Sequence, residues 1–195
     1  IDLHLSGLRQ LGAEIREEGG FLHCRAPALV GRELVLRMPS VGATENLMLA
    51  ACGCDGLTTL VGAAREPEIV DLQNCLNKMG AKIKGAGTDT IKIEGVDSLH
   101  GCEHSLIPDR NRAFSAAIDN LLSGKKAALK FVEPEHMKVG LALLKGLGCV
   151  LSVSEDSVVI EPEVPADKMR ELLKAIKPMP EPYPGVDGQM LRMFG

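Results

Sequence analysis

The alternation of apolar and polar positions describes one structural unit that occurs twice in the chain. Residues 66–94 read as an amphipathic helix with apolar positions at 3.6-residue spacing, a glycine stop at Gly80, and two short strands joined by a polar turn. Residues 133–161 repeat this pattern, with Gly148 as the stop. Internal repeats of this kind indicate the architecture before any single motif does.

A further helix and strand precede each of the two copies, and we call them the head of the unit. A shortened third copy lies at the start of the chain. Each head is an apolar helix, a glycine-containing break and a strand, with the helices predicted over 43–52 and 114–122 and the strands over 57–61 and 127–132. The copy at 8–24 has only the helix end, the glycine stop and the hairpin. The pattern predicts an α/β (or α+β) fold with buried helices and sheets outside them.

Composition limits what the protein does. The chain has 195 residues, of which 45% are apolar and only 3% aromatic, and a net charge of −4. It lacks the aromatic platforms of single-strand binders and any basic stripe that would neutralise a duplex, so no nucleic-acid partner is expected. No run of about 20 apolar residues predicts a membrane span. We therefore expect a cytoplasmic protein without a membrane partner.

The six cysteines predict ordinary reduced thiols rather than a metal centre. The one close pair is Cys52-Gly53-Cys54, and no second cluster accompanies it. Structural zinc sites need about four ligands in close clusters, so a metal is the weaker alternative and none is expected.

Residues 39–46 are the strongest candidate for a binding site. Ser40 is a good N-cap for the apolar helix, and Gly42 lets a ligand approach the backbone. The free amides of a helix N-terminus suit a phosphate group. The alternative is a core helix that is merely well capped.

Other ionisable residues have equally ordinary explanations. Asp2 and His4 could be a solvated surface pair, and Glu66 could complement a helix dipole rather than position a ligand hydroxyl. Asp109-Arg110 reads as a turn between domains with an ion pair. Asp187 is a lone carboxylate in a glycine-containing loop.

Four segments carry a resemblance to a known family. They are residues 1–8 (IDLHLSGL), 40–46 (SVGATEN), 63–71 (AAREPEIVD) and 107–110 (IPDR). Together they resemble the UDP-N-acetylglucosamine 1-carboxyvinyltransferases, a family of enolpyruvyl transferases. The second and third strings separate this family from its relative, 5-enolpyruvylshikimate 3-phosphate synthase.

The resemblance implies both a fold and a reaction. Members of the family have two domains, each an inside-out α/β barrel of three such repeats, with substrate bound between them. They transfer the enolpyruvyl group of phosphoenolpyruvate to the 3-hydroxyl of UDP-N-acetylglucosamine and release phosphate, without a metal or organic cofactor, in the first committed step of peptidoglycan synthesis. Residues 1–107 are expected to end the first domain, and residues 108–195 to begin the second, as a central piece of the enzyme.

The resemblance also assigns site residues. Those expected to bind the nucleotide sugar are Ile1, Asp2, Leu3, His4, Ser40, Val41, Gly42 and Glu66, and Asp187 is the candidate general base.

The departures from the family pattern leave a second hypothesis open. The mobile loop with the catalytic cysteine or aspartate is expected before residue 1, so the chain alone is not expected to turn over. Residues 111–114 (NRAF) stand where the family usually has Glu-Ala/Thr-Gly-Thr. A catalytically inactive homologue that binds a ligand or partner is therefore the alternative. Exposed apolar surfaces would favour self-association or association with the remaining part of the enzyme.

Overall fold

The computed structural model describes residues 1–175 and Tyr183, which fall into two compact units. The units are Ile1–Leu106 and Ile107–Gly195, so the division lies one residue before the predicted boundary. That these units belong to the two domains of an enolpyruvyl transferase stays a prediction. Asp187 and, apart from Tyr183, the expected proline-rich linker at 178–185 lie outside the described residues.

The first unit contains three helices, a separate hairpin and a four-stranded sheet. In chain order the elements are α1 (Asp2–Leu11), β1 (Glu14–Glu18), β2 (Phe21–Arg25), β3 (Glu33–Val35), α2 (Val41–Ala51), β4 (Leu57–Val61), α3 (Pro67–Lys78), β5 (Lys82–Lys84) and β6 (Thr90–Glu94). Strands β1 and β2 pair with each other, and the larger sheet has the order β3-β4-β6-β5. Only the β3–β4 pair is parallel.

The second unit repeats the later part of the first. Its elements are α4 (Arg110–Leu122), β7 (Ala127–Lys130), a 3-10 turn (Pro134–Met137), α5 (Lys138–Gly146), β8 (Cys149–Val153), β9 (Ser157–Pro162) and α6 (Ala166–Ala175). Its sheet has the order β7-β9-β8 and is antiparallel throughout. This order matches β4-β6-β5, so the predicted repeat of helix, strand, helix and hairpin is present in both units.

Three glycines mark the point where a helix of each copy gives way to a hairpin. Gly12, Gly80 and Gly148 have φ of 113°, 100° and 86°, the left-handed conformation that ends helices and favours glycine. They follow α1, α3 and α5 and precede the hairpins β1–β2, β5–β6 and β8–β9. The glycine stops predicted from the sequence therefore have the backbone conformation that favours glycine.

The second copy contains one extra residue, and the 3-10 turn accommodates it. Glu66 and Glu133 are 67 residues apart, whereas Gly80 and Gly148 are 68 apart. The second copy has the turn Pro134–Met137 before α5, whereas α3 is helical from Pro67 onwards.

The core-facing positions keep the 68-residue spacing. Ile69 and Leu76 of the first copy and Met137 and Leu144 of the second are all buried. The apolar face of the helix is thus conserved between the copies, while the residues before it are displaced by one position.

Helices pack on one face of the four-stranded sheet and of the three-stranded sheet, and the other face of each is exposed. On β6, Ile91 and Ile93 are fully buried while the residues between and after them are exposed. This confirms the α/β prediction. Full burial of the 43–52 helix was wrong, because Asn46 is exposed and Leu49 is 52% exposed. The neighbouring elements of the unit cover only part of its circumference.

A bend after β4 and after its counterpart β7 is present in both copies although its residue differs. Gly62 has φ of 74° after β4, and Phe131 has φ of 56° after β7. In both copies the next N–H donates 3.0 Å to an aspartate carbonyl, Asp89 or Asp156. The left-handed conformation costs a residue with a side chain about 1 kcal/mol, and the ring of Phe131 remains 80% exposed.

Candidate functional site

The candidate site lies where α1 crosses α2 in the first unit. The crossing is close because Gly7 has no side chain: a Cβ there would lie 2.5 Å from Cδ2 of Leu47. Both residues are buried. This contact brings His4 of α1 alongside Gly42 and Asn46 of α2, so the two segments predicted to bind a nucleotide sugar meet.

Ser40 caps α2 as the sequence predicts. Its backbone is extended, with φ of −140°, and its Oγ accepts a hydrogen bond from the Ala43 N–H at 3.4 Å. The amides of Val41 and Gly42 belong to the first turn, which has no hydrogen-bond acceptors within the helix. The residues of this turn carry no charge. The helix N-terminus therefore presents donors and positive dipole potential to an anion.

His4 adds a side-chain donor beside that helix terminus. The Asn46 amide nitrogen lies 3.2 Å from Nδ1 of His4. With the amide donating to Nδ1, a neutral imidazole carries its proton on Nε2. The ring lies next to the open face of Gly42, where a Cβ would be 3.4 Å from Cε1 and 3.6 Å from Nε2.

The start of α1 is tied to the segment before α2 by an ion pair. Arg37 donates to Oδ2 of Asp2, and both side chains are mostly exposed, so the pair contributes at most about 1 kcal/mol. Ile1 is 80% exposed, whereas Leu3 and Val41 pack against the core. Any contact of Leu3 or Val41 with a ligand would therefore involve the backbone more than the side chain.

A buried hydrogen bond connects α2 to the segment that carries Glu66. The Thr44 Oγ1 accepts from the Ala64 N–H at 3.0 Å, and both residues are fully buried. Glu66 follows two residues later, precedes α3 and is 7% exposed. The helix dipole does not explain why Glu66 is buried, since an exposed carboxylate would complement the dipole equally well.

Glu45 forms an acidic cluster with Glu66 and Glu68. Burial raises the pKa of Glu45, and the negative charges of Glu68 and then Glu66 raise it further. The folded protein therefore binds this proton more tightly than the unfolded chain. The free energy of unfolding therefore falls as pH rises through the raised pKa of Glu45. Well below the ordinary glutamate pKa of 4.5, the carboxyl is protonated in both states and this loss of stability is absent.

We expect Glu45→Gln to stabilise the protein at neutral pH and to have little effect at about pH 3, where wild-type Glu45 is protonated. Urea denaturation at both pH values measures the difference. Glu18→Gln, an exposed position on β1, is the control and should change stability at neither pH. Destabilisation by Glu45→Gln at neutral pH would show that the charged carboxylate makes net favourable contacts.

Three residues of this arrangement were missed by sequence reasoning. Arg37, Thr44 and Asn46 contact partners 35, 20 and 42 residues away in the chain. Thr44 and Asn46 lie within the matched SVGATEN string, which was the available signal. The ligand roles predicted for Ile1 to His4, Ser40 to Gly42 and Glu66 stay predictions.

The cysteines show no metal-binding arrangement. Cys52 and Cys54 are buried, and burial raises the pKa of both thiols. Within residues 1–175 and at Tyr183, no group of three or more His, Cys, Asp or Glu side chains could hold a metal ion. A shallow concavity lies on the β1–β2 hairpin, away from the predicted residues, and is lined by Glu14, Arg16, His23, Cys24 and Arg25.

Solved structures place the fold among the enolpyruvyl transferases. The chain is similar to the enolpyruvyl transferase NikO from Streptomyces tendae, with a TM-score of 0.78 and 21% identity over 98% of this chain and 47% of that one. It is also similar to an EPSP synthase from Acinetobacter baumannii, with a TM-score of 0.56 and 22% identity over 86% of this chain and 42% of that one.

Residues 1–195 match the profile of EPSP synthase (3-phosphoshikimate 1-carboxyvinyltransferase), and the chain belongs to this family. It is 45% identical over 190 residues to UDP-N-acetylglucosamine 1-carboxyvinyltransferase 1 of Carboxydothermus hydrogenoformans, covering 97% of this chain and 44% of that protein. It is 43% identical over 195 residues to the UDP-N-acetylglucosamine 1-carboxyvinyltransferase of Granulibacter bethesdensis, covering 100% and 45%. The resemblance read from the motifs is confirmed. The chain spans less than half the length of these relatives.

Proposed function

We propose that this chain forms part of the nucleotide-sugar site of a UDP-N-acetylglucosamine enolpyruvyl transferase, the enzyme of the first committed step of peptidoglycan synthesis. One observation carries the proposal: Ser40 caps a helix whose open, uncharged N-terminus lies beside His4. The 45% and 43% identities to relatives of that name support the choice of ligand.

Each part of the site suits one part of the ligand. The amides of Val41 and Gly42 would donate to the diphosphate, with Nε2 of His4 as a further donor. Residues 1–3 at the start of α1 would contact the uridine end. The absence of a side chain at Gly42 leaves the amides accessible.

We propose that the transfer reaction needs this chain together with the segments of its relatives that it does not span. The 3-hydroxyl of the sugar adds to C2 of phosphoenolpyruvate as an acid protonates C3, and loss of phosphate from C2 and of a proton from C3 then restores the double bond. Asp187 is the proposed general base for that hydroxyl. The developing charge also needs cationic groups and an acid, which are expected outside this chain.

The proposal is tested with Ser40→Asp and UDP-N-acetylglucosamine. Aspartate caps helices as well as serine does, so the fold should be retained, but its carboxylate faces the diphosphate. Repulsion between charges about 4 Å apart costs about 1–4 kcal/mol, so we expect at least about fivefold weaker binding. Amide chemical shifts at residues 40–42, followed during titration of the full chain, measure the dissociation constant.

Ser154→Asp is the matched control because it adds the same charge in an exposed hairpin turn of the second unit. It should bind as the wild type does. Equal affinity of Ser40→Asp and wild type, or no saturable shift at millimolar ligand, would contradict the proposal.

Ligand binding without catalysis is the second candidate function. The departure at residues 111–114 favours it, because this segment forms the first turn of α4 in place of the family's usual residues. The two functions differ in one measurement. Phosphate release from phosphoenolpyruvate, when the chain is supplied with the missing segments of a relative, supports transfer, whereas saturable binding without release supports a binding module.

The proposal also includes a cytoplasmic location and self-association. All six cysteines are free thiols, which suits a reducing compartment. No helix in the described part of the chain is both long and apolar enough to cross a membrane.

Phe21 and Leu22 on the hairpin and Val35 on β3 are exposed apolar residues that would favour self-association or docking of the remaining enzyme.

A further inference from the structure

The chain leaves the first unit through an extended segment that lies along α3. We call residues 95–106 the strap. The His100 N–H donates to the Met79 carbonyl at 2.9 Å, and Nε2 of His104 lies 2.9 Å from Oδ1 of Asp71. The strap therefore runs antiparallel to the helix.

The strap and the helix are matched in length along this contact. Each two-residue step of an extended chain covers about 6.6 Å, and each four-residue step of a helix about 6 Å. Moving from His100 to His104 thus follows α3 from Met79 to Asp71. The His104 and Asp71 side chains are only 9% and 11% exposed, so the strap is anchored rather than loosely apposed.

Two cysteines meet at the middle of this contact. Sγ of Cys102 lies 3.8 Å from the carbonyl oxygen of Cys75, between the His100 and His104 contacts. Burial raises the pKa of Cys75, and the neighbouring Cys102 raises it further. The Cys102 thiol therefore lies directly against residue Cys75. Cys102 is exposed and Cys75 is half-buried, so a small reagent reaches Cys102 first.

The repeat itself does not require a thiol at this position. Leu143 matches Cys75 at the 68-residue spacing and is a partly buried residue that packs against the second core. An apolar residue would therefore serve the packing. The strap nevertheless has a cysteine at a point where it contacts Cys75.

We propose that Cys75 and Cys102 form a reversible disulfide that fastens the strap to α3, independently of the proposed enzymatic function. The oxidant is a low-molecular-weight disulfide such as oxidised glutathione. The Cys102 thiolate attacks one sulfur of the reagent and expels a glutathione thiolate, which takes up a proton. The Cys75 thiolate then attacks Sγ of Cys102 and expels the second glutathione. Two protein thiols are oxidised, and one reagent disulfide is reduced to two thiols.

The consequence is a change in how firmly the strap is held. In the reduced protein the strap opens when its hydrogen bonds break, whereas a covalent bond removes most open conformations. The strap ends at Leu106, and the second unit begins at Ile107. Oxidation would therefore fix the point at which the chain leaves the first unit.

The test uses the full chain with Cys24→Ser, which removes the other exposed thiol and leaves five cysteines. After oxidised glutathione, denaturation and alkylation, mass spectrometry should find three alkylated cysteines and a peptide pair linking Cys75 to Cys102. Exchange of the His100 amide, which is hydrogen-bonded to the Met79 carbonyl, should slow by about tenfold and recover on addition of dithiothreitol.

Two further variants separate the proposed exchange from general reactivity. Cys75→Ser should retain glutathione on Cys102, because the resolving thiol is missing, and circular dichroism should show an unchanged fold. Cys102→Ser should react little, since Cys75 is shielded. Five alkylated cysteines after oxidation, or a stable glutathione adduct on Cys102 while Cys75 is present, would overturn the proposal.

Discussion

Replacing Gly95 with alanine is expected to destabilise the first unit by on the order of 3 kcal/mol. A Cβ at Gly95 would lie 1.7 Å from the carbonyl oxygen of Cys54 and 2.8 Å from its carbonyl carbon. Both are backbone atoms, so a rotamer change cannot relieve the clash. The turn after α2 or the chain after β6 must move.

That movement would disturb three segments at once. The N–H groups of Gly95 and Val96 donate to Gly56 and Cys52 at 3.0 and 2.8 Å. On its other side the same turn holds residues 29–31, through the Asp55 N–H to Leu29 and the Gly31 N–H to Asp55. Because the turn connects strands that are far apart in sequence, its displacement weakens all of them together.

Chemical denaturation followed by circular dichroism measures this prediction. Gly53→Ala is the matched control, since it lies in the same turn, has no heavy atom within 4 Å of its added Cβ and lacks a positive φ. It should remain within about 0.5 kcal/mol of the wild type. A similar midpoint for Gly95→Ala and Gly53→Ala would show that the turn adapts without cost.

Thr44→Val is expected to destabilise the first unit by about 2 kcal/mol although valine has the same shape as threonine. The Ala64 N–H loses its acceptor at 3.0 Å and remains fully buried, and an unpaired buried donor costs about 1–3 kcal/mol. The hydrogen bond spans 20 residues and links α2 to the Glu66 segment. Loss of affinity for the nucleotide sugar should accompany the loss of stability.

Thr44→Ser makes the prediction specific. Serine retains the hydroxyl and loses only a methyl group, which is worth about 0.8 kcal/mol when buried. The expected order of unfolding free energies is therefore wild type, Thr44→Ser, Thr44→Val, measured by urea denaturation. If packing of the methyl group outweighed the hydrogen bond, the serine variant would be the less stable of the two.

Local signals predicted the repeated elements well. The glycine stops, the hairpins and strand β4 are local features, because a left-handed turn and an alternating strand depend on neighbouring residues. The helix starts were less accurate. The helix predicted from residue 114 begins at Arg110, since the carboxylate of Asp109 accepts from the Asn111 and Arg112 amides at 2.9 Å. An N-cap aspartate was the available signal, and it had been interpreted as a turn between domains.

Elements and contacts that depend on tertiary structure could not be read from the sequence. Strand β3 has only three residues and exists because β4 pairs with it in parallel. Within the site, the Ser40 cap is local and was predicted. The Arg37, Thr44 and Asn46 contacts join residues that only the fold brings together. Helix α6 was also missed, although its amphipathic pattern was available.

The one-residue difference between the two copies has a consequence for how repeats diverge. An added residue turns a helix by about 100°, so the same three letters, Glu-Pro-Glu, face different surroundings. Glu66 is buried beside Glu45, whereas Glu133 is exposed. One copy of a duplicated unit can thus give a residue new surroundings through the insertion of a single residue, although the Glu-Pro-Glu sequence itself is unchanged. An alignment of the two copies by sequence alone would therefore pair Glu66 with Glu133, although only Glu66 is buried.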